Sequence, residues 1–207
     1  MALRPGHLGI DFDNTIVCYD GVFHRVALEQ GLIPPGVERN KVAVRDWLRR
    51  VGKEDAWTQM QGYVYGARMG DAEMYPGVRE FLAAARNAGL PMSIVSHKTR
   101  HPFLGERYDL HAAATAWVDE FLRDDAGPFV AADRIYFETT KDAKWSRIAA
   151  TGATHFIDDL PEILLADAFP AGVQRILFDP DAHHGSIGAD VRSLQSWSEL
   201  QIWFDAC

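Results

Sequence analysis

Five short apolar runs punctuate the chain: "HLGIDF" (7–12), "MSIVSH" (92–97), "RIYFET" (134–139), "THFIDD" (154–159) and "VQRILFDP" (173–180). Each is brief and rich in Ile, Val, Leu or Phe, the pattern of a strand covered on both faces. Helical periodicity fills the intervals. In "GVREFLAAARNAGL" (77–90), Val78, Phe81, Leu82 and Ala85 form one stripe and Gly89 is placed to end the helix. "HAAATAWVDEFLRD" (111–124) repeats apolar residues at the same spacing. "DAKWSRIAATG" (142–152) offers Asp142 as N-cap and Gly152 as stop, "DLPEILLADAF" (159–169) has Pro161 in its first turn, and "SWSELQIWFDA" (196–206) is the last helical pattern. Alternating strands and helices predict an α/β fold with a Rossmann-like, doubly wound parallel sheet. Ligands of such sheets bind beyond the C-terminal ends of the strands.

One stretch breaks the alternation. Residues 20–74 hold no convincing strand. They read as helices separated by Gly and Pro punctuation such as "IPPG", and the stretch is too long for a simple crossover. This predicts a small helical insert directly after the first strand, with residues 1–19 and 75–207 as the core. Trp47, Trp57, Tyr63 and Tyr65 are expected to pack it. The basic run Arg39, Lys41, Arg45, Arg49, Arg50 and Lys53 is interrupted by acids and is expected to be a solvated helix face.

Composition narrows the function classes. The chain has 207 residues, 47% hydrophobic and 24% charged, with net charge −8. These are the proportions of an ordinary globular protein. The acidic balance argues against charge-driven binding to a nucleic-acid polymer or an anionic membrane, while leaving room for a small phosphorylated substrate. The N-terminus lacks the apolar stretch of a secretory signal, and no window reaches the length of a membrane span. Two cysteines, Cys18 and Cys207, give no disulfide framework, so the reducing cytoplasm is the expected location. Cys18 has no neighbour suited to be its general base and reads as a packed thiol.

The candidate chemistry lies at the strand ends. Asp11 and Asp13 follow the first run, with Thr15 two positions on; Ser96 ends the second; Lys141 and Lys144 follow the third; Asp158 and Asp159 end the fourth. A parallel sheet brings all of these to one rim. Carboxylates gathered there repel one another unless a hard cation such as Mg²⁺ is shared among their oxygens. An aspartate can attack phosphorus, and a second can protonate the leaving oxygen and then deprotonate water. A lysine and a metal neutralise the transferring phosphoryl group.

The order Asp-x-Asp-x-Thr, Ser, Lys, Asp-Asp, each at a strand end, resembles the haloacid dehalogenase superfamily, and its phosphatase branch in particular. The motifs are "DFDNT", "YPGVREFLAAARNAGLPMSIVSHKT" and "THFIDDLPEIL", and the likeness runs from residue 8 to about 180. It implies Asp11 as nucleophile and Asp13 as general acid and base. It implies Thr15, Ser96 and the amide of His97 as substrate contacts. It implies Mg²⁺ held by Asp11, the Asp13 carbonyl and Asp158, with Asp159 among the metal-site acids and acting through water or from just behind the ligands. Lys144 is favoured over Lys141 as the phosphate-site lysine. The acid at position 13 points to phosphate esters, such as a sugar phosphate or nucleotide, rather than carbon–halogen bonds. Asn14 stands where many relatives have Gly. The 20–74 insert falls where the superfamily often carries a mobile cap. A phosphotransferase or mutase would use the same residues, and a non-catalytic phosphate-binding protein would keep the fold. His155 and the pair His183–His184 are expected to be structural.

Overall fold

All five apolar runs are strands, because each is buried on both faces or pairs with one that is. A computed structural model describes residues 6–185 and 187–205. Cys207 and the last residue of the predicted 196–206 helix lie outside them. In chain order the elements are β1 (Leu8–Ile10), β2 (Val17–Cys18), α1 (Asp20–Glu29), α2 (Lys41–Arg50), α3 (Glu54–Tyr65), β3 (Glu73–Met74), α4 (Val78–Asn87), β4 (Met92–His97) and α5 (Leu110–Phe121). There follow β5 (Arg123–Asp124), β6 (Gly127–Pro128), β7 (Ile135–Glu138), α6 (Lys141–Thr151), β8 (His155–Asp158), α7 (Pro161–Leu164), β9 (Gln174–Phe178), β10 (Val191–Leu194) and α8 (Trp197–Asp205).

The chain divides into two units. The first comprises the segment up to Ile16, Met74–His97, and the chain from Leu122 onward. It contains a six-stranded sheet in the order β10-β9-β8-β1-β4-β7, with parallel pairing throughout. β1 is central, and the chain leaves it toward β4 on one side and reaches β8 on the other. Such a reversal opens a crevice at the strand ends. β1, β4 and β8 are buried almost throughout, as their apolar runs require. On one face, Val95, Phe156 and Leu177 pack with Ile148 of α6 and Leu164 of α7. α4 buries the predicted stripe of Val78, Phe81, Leu82 and Ala85, and Gly89 adopts φ +69° just past its end.

Three details differ from the sequence reading. β10 is a sixth strand at the sheet edge, with only Leu194 buried, so it carries no apolar run. α6 is capped by Thr140, whose hydroxyl accepts from the Ala143 amide at 3.1 Å; Asp142 lies inside its first turn. The 159–169 helix is only the single turn α7, after which the chain bends so that Phe169 packs on Phe156 at 6.4 Å.

The second unit comprises Val17–Glu73 and Lys98–Phe121. It is therefore wider than the 20–74 insert, because α5 and the loop before it join the helices α1, α2 and α3. Close backbone approaches explain this grouping. A Cβ on Gly66 would meet Tyr108 at 2.5 Å, one on Gly62 would meet Pro102 at 2.6 Å, and Trp117 Nε1 donates to the Ala72 carbonyl at 3.0 Å. Inside the unit, Trp57 lies on Phe23 and Tyr65 on Tyr19, with ring centroids 5.0 and 4.9 Å apart. Tyr63 lies against Tyr108, and Trp47 lies under Arg50. Among the described residues no helix is long and apolar enough to cross a membrane.

Gly9 has no room for a side chain: a Cβ there would meet Phe156 at 2.5 Å and Ala153 at 3.3 Å. Overpacking of this kind costs about 1–3 kcal/mol. Gly9→Ala is expected to lower the unfolding free energy by that amount in a denaturant titration, whereas Gly36→Ala, which faces open space, leaves it nearly unchanged.

Candidate active site

The site is built on strand register. Ile10 of β1 is level with Ile94 of β4 and Ile157 of β8. The next residues on β1 and β8 are Asp11 and Asp158, so the two carboxylates leave adjacent strand ends side by side. The Asp11 amide still donates to the Ile157 carbonyl at 2.8 Å, which fixes its level. By the pleat, both acids share the sheet face of Gly9 and Phe156. That is the face on which α6 packs.

Lys144, the fourth residue of α6, reaches across this face from above the Phe156 ring, 5.6 Å from its centroid. Its Nζ donates to Asp11 Oδ1 and to Asp158 Oδ2, each at 2.6 Å. The three residues are 4%, 0% and 1% exposed for Asp11, Asp158 and Lys144, so this is a buried charge cluster. Lys141, one turn earlier, is held instead by Glu162 at 2.7 Å on the exposed side of the helix. Of the two lysines considered, the structure brings Lys144 alone to the carboxylates.

The electrostatics of the cluster are unequal. Burial pushes the Asp11 carboxyl up, to about 7; Lys144 pulls it back in part, while Asp158 and Asp13 add repulsion. Burial opposes the Lys144 ammonium too, but the Asp11 and Asp158 carboxylates overcome it and hold its pKa above the ordinary value. Burial, and then the Lys144 charge, lower the half-buried His97. The second oxygen of Asp158 accepts from the Leu160 amide at 2.9 Å. The buried Thr15 hydroxyl points at Asp11 Oδ2 from 3.5 Å, the outer limit of a hydrogen bond. Asn14 has φ +57°, the left-handed geometry that Gly adopts freely and Asn tolerates.

The remaining predicted residues fall around this core. Ser96 lies one step past the level of Asp11 on β4, and its Oγ is buried with no hydrogen-bond partner. A buried hydroxyl of that kind is satisfied only by a ligand or water. Asp11, Asp158 and Asp159 each offer a carboxylate oxygen, and these lie within 4.8 Å of one another. An all-oxygen set of this size suits a hard divalent cation, and three carboxylates around one ammonium leave negative charge for it to balance. Asp13 adds no side-chain oxygen to that set. His155 is bonded to Thr154 and packs at a tilt against Trp203, as a structural residue does. Asp179 accepts the amides of His183 and His184, which accounts for that loop.

No family model matches the chain, and no curated protein matches it in sequence. Solved structures do match over nearly its whole length. A HAD family hydrolase from Deinococcus radiodurans, with bound phosphate and sodium, superposes with a TM-score of 0.56 at 17% identity, covering 97% of this chain and 95% of that one. A HAD-hydrolase from Bacillus subtilis bound to magnesium gives 0.58 at 13% identity, covering 98% and 100%. An L-2-haloacid dehalogenase gives 0.59 at 12% identity, covering 99% and 100%. The chain has the haloacid dehalogenase-like fold. At these identities the likeness concerns the fold, and neighbours of this fold include a protein described as a predicted phosphoglycolate phosphatase as well as dehalogenases. In a haloacid dehalogenase-like sheet the motif order read from the sequence acquires positions: Asp11 and Asp158 at the central strand ends, Lys144 between them, Ser96 beside them. Lys144, favoured over Lys141 in the sequence, is the lysine that reaches the carboxylates.

Asp11 binds its proton more tightly in the folded, metal-free chain than in the unfolded one. Its stabilising contribution is complete below its ordinary pKa of 3.8 and is lost as pH rises through about 7. In urea unfolding with a chelator present, wild type is expected to lose more stability between pH 5 and 8 than Asp11→Asn. Equal pH slopes would show that Asp11 is not raised.

Proposed function

We propose that this chain is a Mg²⁺-dependent phosphatase acting on a small phosphomonoester. The observation that carries the reading is the buried cluster in which Lys144 bridges Asp11 and Asp158 with Asp159 alongside. A phosphate dianion cannot approach these carboxylates without added positive charge. Asp11, Asp158, Asp159 and the Asp13 carbonyl would hold Mg²⁺, which would supply that charge and Lewis acidity toward the phosphoryl group. Lys144 holds Asp11 through one carboxylate oxygen. The orphaned Ser96 hydroxyl, together with the His97 amide, donates to a phosphoryl oxygen. Asp11 attacks phosphorus, the ester P–O bond breaks, and Asp13 gives its proton to the leaving oxygen. Water then attacks the acyl phosphate, Asp13 takes its proton, and inorganic phosphate leaves with Asp11 restored.

Asp13 favours this chemistry over dehalogenation. A halide leaves without a proton, whereas an alkoxide needs one in the transition state. In the same reading, the second unit serves as a cap that selects the organic part of the ester, and the reaction belongs in the cytoplasm, as the two cysteines suggest.

Phosphate release from p-nitrophenyl phosphate is expected to require Mg²⁺ and to be abolished by Asp11→Asn. Asp13→Asn is expected to slow hydrolysis of an alkyl phosphate by about 10²–10⁴-fold, and of the aryl phosphate by less, since phenolate is the better leaving group. Halide release from a 2-haloacid, with no phosphate release from any ester tested, would overturn the reading.

A further inference from the structure

The turn that carries the candidate nucleophile is held from outside the sheet. Within it, the Ile16 amide donates to the Phe12 carbonyl at 3.1 Å. The two carbonyls at its end are each taken by a distant group: Thr15 O accepts from Trp197 Nε1 at 3.0 Å, and Ile16 O from the Tyr75 amide at 3.0 Å. Trp197 opens α8 and is 182 residues from its partner in sequence. Its indole is 1% exposed and lies against Phe81 and Phe178, with ring centroids 5.4 and 6.0 Å away. Even a methyl group on Gly77 would come within 3.1 Å of the Trp197 Cβ. The indole therefore has one orientation, and its N–H points at the turn.

A second tryptophan on the same helix supplies the contrast. Trp203 is also buried, but its indole N–H has no partner. α8 thus carries one tryptophan that packs and one that packs and engages the turn.

We propose that Trp197 is a positioning residue for the candidate active site, resting on the phosphatase reading above. By fixing the Thr15 carbonyl it restrains the left-handed step at Asn14, and so the direction of the Asp13 carbonyl toward the metal and of the Asp13 carboxyl toward the leaving oxygen. Trp197 itself touches neither. Groups that orient metal ligands in this way typically change metal affinity 10–100-fold when removed.

The test is direct Mg²⁺ titration by calorimetry on the full chain, comparing wild type with Trp197→Phe, Trp203→Phe and Leu200→Ala. Leu200 is buried on α8 and has no polar side-chain group to bond the turn, so its truncation lowers the melting temperature and serves as the control for destabilisation. Trp197→Phe is expected to weaken Mg²⁺ binding by about tenfold or more and to lower kcat with little change in KM, while both controls bind Mg²⁺ as wild type does. In wild type, the Trp197 indole ¹H–¹⁵N resonance is expected to shift on Mg²⁺ addition and that of Trp203 to stay in place, a readout that does not depend on the variant folding. Wild-type binding with equal affinity in Trp197→Phe and Leu200→Ala, or a Trp197 resonance unmoved at saturating Mg²⁺, would overturn the inference alone. A wild-type chain that binds no Mg²⁺ would overturn the metal reading and this inference with it.

Discussion

A buried ammonium between two buried carboxylates governs the arrangement of the sheet end. Lys144 Nζ reaches Asp11 and Asp158 at 2.6 Å each, and none of the three groups has appreciable access to water. Such a cluster is tolerable only while all partners are in place, since removing one leaves an uncompensated charge in a medium that solvates it poorly. The requirement fixes several things together. β1 and β8 must end at the same level, α6 must begin at Lys141 and turn its fourth residue, Lys144, toward the sheet, and the Phe156 ring must lie beneath the lysine stem. Buried ion pairs are poor sources of net stability compared with apolar packing. An unstrained apolar triad would hold these elements together as well, so the charge is better understood as serving chemistry at the strand ends.

The charge balance also explains why this cleft suits a cation and an anion together. Lys144 is committed to two carboxylates, yet Asp159 and Asp13 add further negative charge nearby. In the proposed phosphatase reading, a hard cation bound there would draw down the raised Asp11 carboxyl, which otherwise holds a proton near neutrality, and would reverse the local field for a phosphate. Ser96 fits that picture from the other direction: its buried hydroxyl lacks a protein acceptor or donor, a state that costs free energy unless a ligand atom completes it.

Much of this frame was legible in the chain itself, for reasons that differ element by element. β1, β4 and β8 announce themselves because strands buried on both faces must be apolar runs. β10 does not, since an edge strand with one buried residue carries no such run. The Asp11, Ser96 and Asp158 positions follow from the strand ends. The choice between Lys141 and Lys144, three residues apart on one helix, depends on which side of α6 meets the sheet, and that is set by packing rather than by the local sequence. The reach of the second unit was hidden for another reason. α5 has the same apolar periodicity whichever surface it covers, and only the close packing of Pro102 and Tyr108 on Gly62 and Gly66 decides that it joins α3.

The contacts that complete the site are the most distant ones in the chain. Asp11 and Lys144 are 133 residues apart, and Thr15 and Trp197 are 182 apart. Local propensity can form α4 or α6 early, but these contacts are gained only after long loops have closed, and loop closure has to be offset before such contacts contribute. The turn after Asp11 is thus ordered by groups that arrive with the second half of the sheet and with α8. A partly folded chain has Asp11 and Thr15 but lacks the Lys144 ammonium that bonds one and the Trp197 indole that bonds the carbonyl of the other. The buried cluster of Asp11, Lys144 and Asp158 is thereby assembled only in the finished core, where burial raises the Asp11 carboxyl.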